Sequence, residues 1–319
     1  MIKIKTAEYV RKGHPDRVAD IISDALVDEF IKQDPMSRVA INVFGCHGVI
    51  TVGGEVTTKG YVNVHKVVRG LYREIGYTDN VGVNVNIVEQ SPEISNLVSG
   101  SEELGAGDSG IMVGYATRET PEYLPLEVVL CKKLCDRLDQ LPYLKPDGKA
   151  QVTIDGTDIT TLVVSVQGEK GREKELTELL EKEFPHKDLR LVIYQNGGFD
   201  ADSGLTGRKN ILWYGPQIPT GGGAFAGKDP TKVDRSGAYY ARKLAIDYLK
   251  NNPQEQEALV KIAFAIGGSK PLMVTINEKE QKADFTVASI LKLLDLRKPV
   301  YKEASILGHF GDAKFNWEK

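Results

Sequence analysis

After Pro15, apolar residues recur at helical spacing through Val18, Ile21, Ile22, Ala25, Leu26 and Phe30. Two strand-like stretches follow, 38–44 and 49–57, then a helical pattern through Val64, Val67, Val68 and Leu71 to Ile75, then a strand over 81–88. The same order returns further on. Leu126, Val129, Leu130, Leu134 and Leu138 predict a helix, 151–154 and 160–166 a hairpin, 174–184 a helix and 189–194 a strand. A third round places a helix over 233–249, strands over 259–266 and 272–276 and a helix over 286–294, with an irregular, aromatic tail from 301 to 319. A period of about 108 residues without sequence identity predicts three structural repeats. The expected fold is α+β: three similar domains about a pseudo-threefold axis, each an antiparallel sheet with helices on one face. Their spans are 1–95, 103–197 and 198–319, and the open faces of the three sheets are expected to bury one another.

Charge narrows the function. Lys and Arg number 41 against 44 Asp and Glu, a net charge of −3, so no global basic field draws nucleic acid or an anionic membrane. Any anion binding is local. Cys46, Cys131 and Cys135 are too few for a disulfide framework, and the last two sit one turn apart on a predicted helix. The start is too polar for a signal peptide and no run approaches the roughly 18 apolar residues of a membrane span. A soluble cytoplasmic protein is expected.

Nine of the 32 glycines fall in 197–227, and residues 205–235 carry a charge of +3 inside a net-negative chain. Glycine lets a backbone approach closely and wrap phosphates with N–H groups, so this segment predicts a local anion site. Gly222 to Lys228 matches most of a P-loop, but Asp229 replaces the hydroxyl residue and no strand leads into it. Asp229-Pro230 reads instead as an N-cap followed by Pro at the first position of the next helix. Gly105-Ala-Gly107-Asp-Ser-Gly110 matches a dinucleotide fingerprint literally, without a strand before it or a helix after it. It is better described as a glycine-framed loop presenting Asp108. His14, Pro15 and Asp16 open the first helix, Asp16 where a carboxylate favours the helix dipole. Gly53-Gly-Glu55 reads as a bulge with an exposed acid and Pro146-Asp-Gly-Lys149 as a turn with a solvated lysine.

Taken together, Gly13-His-Pro-Asp16, Gly53-Gly-Glu55, Gln90-Ser-Pro92, Gly105-Ala-Gly-Asp108, Gly204-Leu-Thr-Gly-Arg-Lys209, Gly221-Gly-Gly-Ala-Phe225, Gly227-Lys-Asp-Pro230, Lys232-Val-Asp-Arg-Ser236 and Gly308-His-Phe-Gly311 resemble the S-adenosylmethionine synthetase (methionine adenosyltransferase) family, in order, from near residue 8 to residue 318. The resemblance implies joining ATP to L-methionine, then hydrolysing tripolyphosphate to pyrophosphate and phosphate. A thioether sulfur has no proton to lose, so the attack on the ribose 5′ carbon needs no general base. It needs alignment and neutralisation of a leaving group of about four negative charges.

By position in the matching motifs, the resemblance implies that His14, Asp147, Lys149, Tyr194, Asp202, Arg208, Lys209, Ala224 and Lys228 bind ATP, with His14, Lys149, Arg208 and Lys228 acting in catalysis. Glu55, Gln90, Asp108, Asp202 and Lys232 would bind methionine. Asp16 and Asp234 would hold two Mg²⁺, ions that take a few carboxylates plus phosphate oxygens and water. Homodimers or tetramers of dimers with shared active sites are implied, and a mobile loop over 90–107. The acid that binds K⁺ in the family aligns with Asn42, which predicts weak or absent K⁺ dependence. The chain is also shorter than typical members, with shortening expected at 155–158, at 184–189 and at the end. Asp16→Asn is expected to remove metal-assisted turnover and leave the fold intact. Two rivals are a hydrolase that has lost alkyl transfer and a non-catalytic regulatory subunit. Glu55, Gln90 and Lys232 argue against the first, and His14, Asp16, Lys149 and Asp234 against the second.

Overall fold

The computed structural model describes residues 4–91, 93, 98 and 103–319. The chain runs β1 (Ile4–Val10), α1 (Pro15–Gln33), β2 (Arg38–Cys46), β3 (Val49–Thr57), α2 (Val64–Ile75) and β4 (Gly82–Val88). It repeats the pattern with β5 (Gly110–Thr117), α3 (Leu126–Leu138), β6 (Leu144–Asp155), β7 (Asp158–Gly168), α4 (Glu173–Glu183) and β8 (His186–Tyr194). The last part holds β9 (Gly204–Leu205), α5 (Val233–Asn251), β10 (Glu257–Phe264), β11 (Met273–Ile276), β12 (Lys279–Glu280), α6 (Val287–Leu293) and α7 (Tyr301–Leu307).

Three four-stranded sheets result, ordered β4-β3-β2-β9, β1-β6-β7-β8 and β12-β11-β10-β5. β1, β5 and β9 are edge strands that the hydrophobic pattern does not predict, and each pairs antiparallel with a sheet from another part of the chain. The exchange is cyclic: β1 goes to the second sheet, β5 to the third and β9 to the first. Three like units about an approximate threefold axis exchange strands in this way. β4 and β8 pair parallel with β3 and β7, because a helix carries the chain back across the sheet between them. The first two sheets are therefore mixed rather than purely antiparallel.

One helix seals each exchanged strand: α1 lies on β2 and β9, α3 on β1 and β6, α5 on β5 and β10. Alternation drives this packing. Val39, Ile41 and Val43 of β2, and Ala258, Val260, Ile262 and Phe264 of β10, point inward and are buried. The opposite faces stay open in the single chain, with Phe44, Val49 and Val88 exposed on the first sheet and Ile4 and Val192 on the second. The mutual burial expected of the three sheets does not occur there.

The tail is not irregular throughout. α7 packs on α1, and after it Trp317 stacks on Tyr239 at 4.1 Å while its Nε1 donates to the His309 carbonyl at 2.7 Å. Cys131 and Cys135 are free and buried on α3. No helix among the described residues is long and apolar enough to cross a membrane.

β5 and α5 touch closely at Gly114, where a methyl group would overlap the Ala241 carbonyl and the Arg242 amide of α5. Neither backbone can yield without shifting a helix. Gly114→Ala is therefore expected to lower stability by about 1–3 kcal/mol, read by chemical denaturation; a loss below about 1 kcal/mol would show that α5 slides freely on its sheet.

Candidate functional site

α1 starts where the chemistry concentrates. His14 is its N-cap, with Nδ1 accepting from the Asp16 amide at 3.2 Å, and Pro15 sits in the first turn, so the cap and the fixed proline φ set the helix entry. Because Nδ1 accepts, a neutral ring carries its proton on Nε2, the atom 3.9 Å from Asp202. Burial lowers the His14 pKa from its usual value, Asp147 opposes that and Lys209 reinforces it.

Asp16 is buried. One carboxylate oxygen accepts from the Leu205 amide at 2.9 Å and lies 3.4 Å from Arg208 Nε; the other hydrogen-bonds Lys209 Nζ. His14, Asp16, Asp202, Arg208 and Lys209 thus form one cluster, drawn from the start of α1 and from the segments on either side of β9.

A second cluster forms at the start of α5. Lys228 Nζ pairs with Asp234 and lies 3.5 Å from Asp108. Three backbone features bring these groups together. The Gly107 amide donates to the Thr231 carbonyl at 2.9 Å, Ala40 of β2 bridges to Lys228, and Gly223 passes so close to Asp234 that any side chain there would strike the carboxylate. Burial raises the Asp234 pKa, against the opposing pull of Lys228. Asn210 Nδ2 donates to the Gly223 carbonyl at 2.7 Å, tying the segment behind Lys209 to the loop beside Asp234. Ala224 fits against Gly207, whose missing Cβ would lie 2.5 Å from its own.

Lys149 and Asp147 belong to β6, not to a turn. The register with β7 shifts between Leu144 and Gly148, a bulge that carries Pro146-Asp-Gly through the strand. Lys149 Nζ lies 3.4 Å from Glu8 of β1, which also accepts from Gln151 at 2.9 Å; burial alone would raise the Glu8 pKa, but these two partners hold it below the usual carboxylate range. Asp147 accepts from the Gly198 amide at 2.7 Å, and burial with the Asp147 charge pushes the Tyr194 hydroxyl upward.

Asp229-Pro230 does not cap a helix. α5 begins at Val233 with Lys232 as N-cap. The buried Asp229 carboxylate accepts from the Val39 amide at 2.8 Å, from Thr231 Oγ1 at 2.6 Å and from Lys232 Nζ at 3.0 Å. Burial raises the Asp229 pKa, yet these partners win and keep it lowered. Lys232 is thus committed to Asp229 in this state.

Glu55 lies in an unbroken β3 ladder opposite Ala40, without the expected bulge, and is half-buried. Gln90 is buried; its amide donates to Thr57 Oγ1 at 3.2 Å, and its Oε1 has no partner among the described residues. Neither is shown in contact with either cluster. Asn42 is exposed on β2 opposite Gly53. Pro92 and much of the 90–107 loop lie outside the described residues.

The sequence reading missed the acids behind the loops. Asp20, Asp24 and Asp28 are buried on α1 below Asp16, and burial pushes Asp20 and Asp28 up to about 7. Their signal was present as aspartate at every fourth position from 16 to 28 of the helix, among the apolar residues that mark its buried face.

No three His, Cys, Asp or Glu side chains among the described residues gather to hold a metal. Asp16 and Asp234 each offer a single carboxylate already facing cations. Such a donor set suits Mg²⁺, which keeps waters and takes one or two carboxylates together with substrate phosphates.

Comparison with known proteins agrees along the whole chain. Residues 3–97 match S-adenosylmethionine synthetase, N-terminal domain; 103–196 match its central domain; 196–319 match its C-terminal domain. An S-adenosylmethionine synthase of Thermus thermophilus is 40% identical over 380 aligned residues, covering 100% of this chain and 96% of that one. The Aquifex aeolicus S-adenosylmethionine synthase is 38% identical over 371, covering 100% and 97%. Both aligned spans exceed the 319 residues of the chain, because the relatives carry segments it lacks.

Proposed function

The chain belongs to the S-adenosylmethionine synthetase family and makes S-adenosylmethionine from ATP and L-methionine, and on that premise we propose how its residues divide the work. The methionine sulfur attacks the ribose 5′ carbon, the triphosphate departs as a unit, and hydrolysis then gives pyrophosphate and phosphate. The observation that carries the assignment is the cluster of His14, Asp16, Arg208 and Lys209 at the start of a buried helix.

Neutral His14 offers Nε2–H to the departing oxygen, where a fixed donor counts most. Arg208, Lys209, Lys228 and Lys149 neutralise the phosphates. Asp147, Tyr194, Asp202 and Ala224 take the adenosine side, and Glu55, Gln90, Asp108, Asp202 and Lys232 the methionine side. For Lys232 that role requires release from Asp229. The family works with a divalent metal; Mg²⁺ at Asp16 and Asp234 would arrive with the phosphates and add positive charge along the chain that leaves.

The units are 1–95, 103–197 and 198–319, and the location is the cytoplasm, where ATP is made and used. A homodimer, or a tetramer made of two dimers, with shared sites is supported by the open sheet faces bearing Phe44, Val49 and Val88.

The test is to incubate the protein with ATP and Mg²⁺, with and without methionine, following products by mass spectrometry and phosphorus NMR. The expected result is sulfonium product matched by pyrophosphate and phosphate. Phosphate release that ignores methionine, with no sulfonium formed, would overturn the reading.

Asn42 offers an amide oxygen without charge, so replacing Na⁺ by K⁺ in the assay is expected to change turnover less than about twofold. Strong saturable activation by K⁺ would show that the ion binds without an acid at this position.

A further inference from the structure

Aspartates stand at positions 16, 20, 24 and 28 of α1, one stripe of the helix, and all four are buried. A row of buried carboxylates is costly unless each finds donors. Each does, in residues 205–305. Asp16 accepts from the Leu205 amide at 2.9 Å and Asp20 from the Gly207 amide at 2.7 Å. Asp24 accepts from the Gly227 amide at 2.9 Å and from Ser305 Oγ at 2.6 Å, and pairs with Arg235. Asp28 accepts from the Tyr301 and Lys302 amides at 3.0 and 2.9 Å.

The two middle rungs share a pattern. Gly207 and Gly227 both have positive φ, 84° and 79°, and both are pressed against neighbours: Ala224 in one case, the Ile41 carbonyl in the other. Each is followed at once by cations, Arg208 and Lys209 after Gly207 and Lys228 after Gly227. A hydrogen bond to the glycine amide fixes the peptide from which the next side chain departs.

We propose that Asp20 and Asp24 are positioning residues: through the Gly207 and Gly227 amides they set the two backbone segments that aim Arg208, Lys209 and Lys228 at the polyphosphate. The helix that carries His14 and Asp16 is in this way the common template for both cationic loops. The inference rests on the proposed assignment of those cations to ATP; the wild-type assay above tests the reaction itself, and the kinetics of Lys228→Met test the assignment separately.

Asp20 is the rung to test. Asp24 is locked in a fully buried pair with Arg235, whose loss would destabilise the fold by itself. Asp20 uses one carboxylate oxygen for one backbone donor, so Asn can replace it while Ala and the near-isosteric Leu cannot accept. The measurements are kcat and KM for ATP, KM for methionine, hydrolysis of added tripolyphosphate, and melting temperature, on the full chain.

Asp20→Ala and Asp20→Leu are expected to lose ~10- to 100-fold in kcat/KM for ATP, the scale of a misplaced binding group. Tripolyphosphate hydrolysis should fall in parallel and KM for methionine stay within about twofold, while Asp20→Asn returns to within about threefold of wild type. Wild-type ATP kinetics in Asp20→Ala or Asp20→Leu, whatever the melting temperature, would overturn the proposal. So would an Asp20→Asn enzyme as impaired as Asp20→Ala, because charge and not the tether would then matter. If neither Ala nor Leu folds, the rung is structural and the positioning role is wrong.

Discussion

Asp16→Asn is expected to lower turnover by ~100- to 1,000-fold at saturating Mg²⁺, the scale seen when a group that organises transition-state charge is removed. It is also expected to destabilise the fold, against the sequence expectation of an intact one. A first-turn acid acting only on the helix dipole contributes about 0.3–1 kcal/mol, and that figure assumes an exposed side chain. The Asp16 side chain is 1% exposed and serves the Leu205 amide, Lys209 and Arg208 together. Asn keeps one acceptor oxygen and turns an NH₂ toward the ammonium or the guanidinium. Lys209 retains 18% exposure and Arg208 46%, so water recovers part of the loss and the net cost is about 1–3 kcal/mol. Turnover against Mg²⁺ concentration and a denaturation curve check both halves. Near-normal turnover would remove Asp16 from the metal, and unchanged stability would show that Lys209 finds another partner.

The parts of this fold that a sequence could announce are those whose cause is local. α1, α2, α3 and α5 carry apolar residues at helical spacing, and β2, β3 and β7 alternate or stand between turn residues. What stayed hidden has distant causes. β1 buries Ala7 and Tyr9 only because β6 and α3 come from a hundred residues and more away. β5 is buried along most of its length, so its apolar run shows no alternation. α7 is two turns long, and its first amides are capped by Asp28, 273 residues earlier. Asp229-Pro230 looks like a cap in sequence, yet Val39 and Lys232 claim the carboxylate.

The candidate site divides the same way. Motif strings marked His14, Asp16, Arg208, Lys209, Lys228 and Asp234, since each stands in a string that resembles the family. Which acid faces which base was not legible: Asp16 with Lys209 and Lys228 with Asp108 meet across more than a hundred residues, and only Lys228 with Asp234 is local. Glu8, facing Lys149 across β1 and β6, was invisible for the same reason.

Lys228→Met should be the sharpest test of one cationic cluster serving both reactions. Methionine keeps most of the length and removes the charge, and the ammonium it replaces sits between Asp108 and Asp234 with 22% of the side chain exposed. The Gly227 amide remains bonded to Asp24 and the Ala40 bridge remains in place, so the backbone should hold its course. Stability is then expected to fall by about 1–3 kcal/mol, because Asp234, 12% exposed, is left without its ammonium partner. Catalysis should suffer far more. Positive charge aimed at a phosphate chain counts most where negative charge builds up as the chain departs, and losing one such group costs ~100- to 1,000-fold. If Lys228 touches the same phosphates while they leave the ribose and while they are split, sulfonium formation and hydrolysis of added tripolyphosphate must fall together. KM for methionine should hardly change, because the lost contact lies on the phosphate side. A variant that makes sulfonium slowly but hydrolyses tripolyphosphate at the wild-type rate would separate the two steps and confine Lys228 to the first.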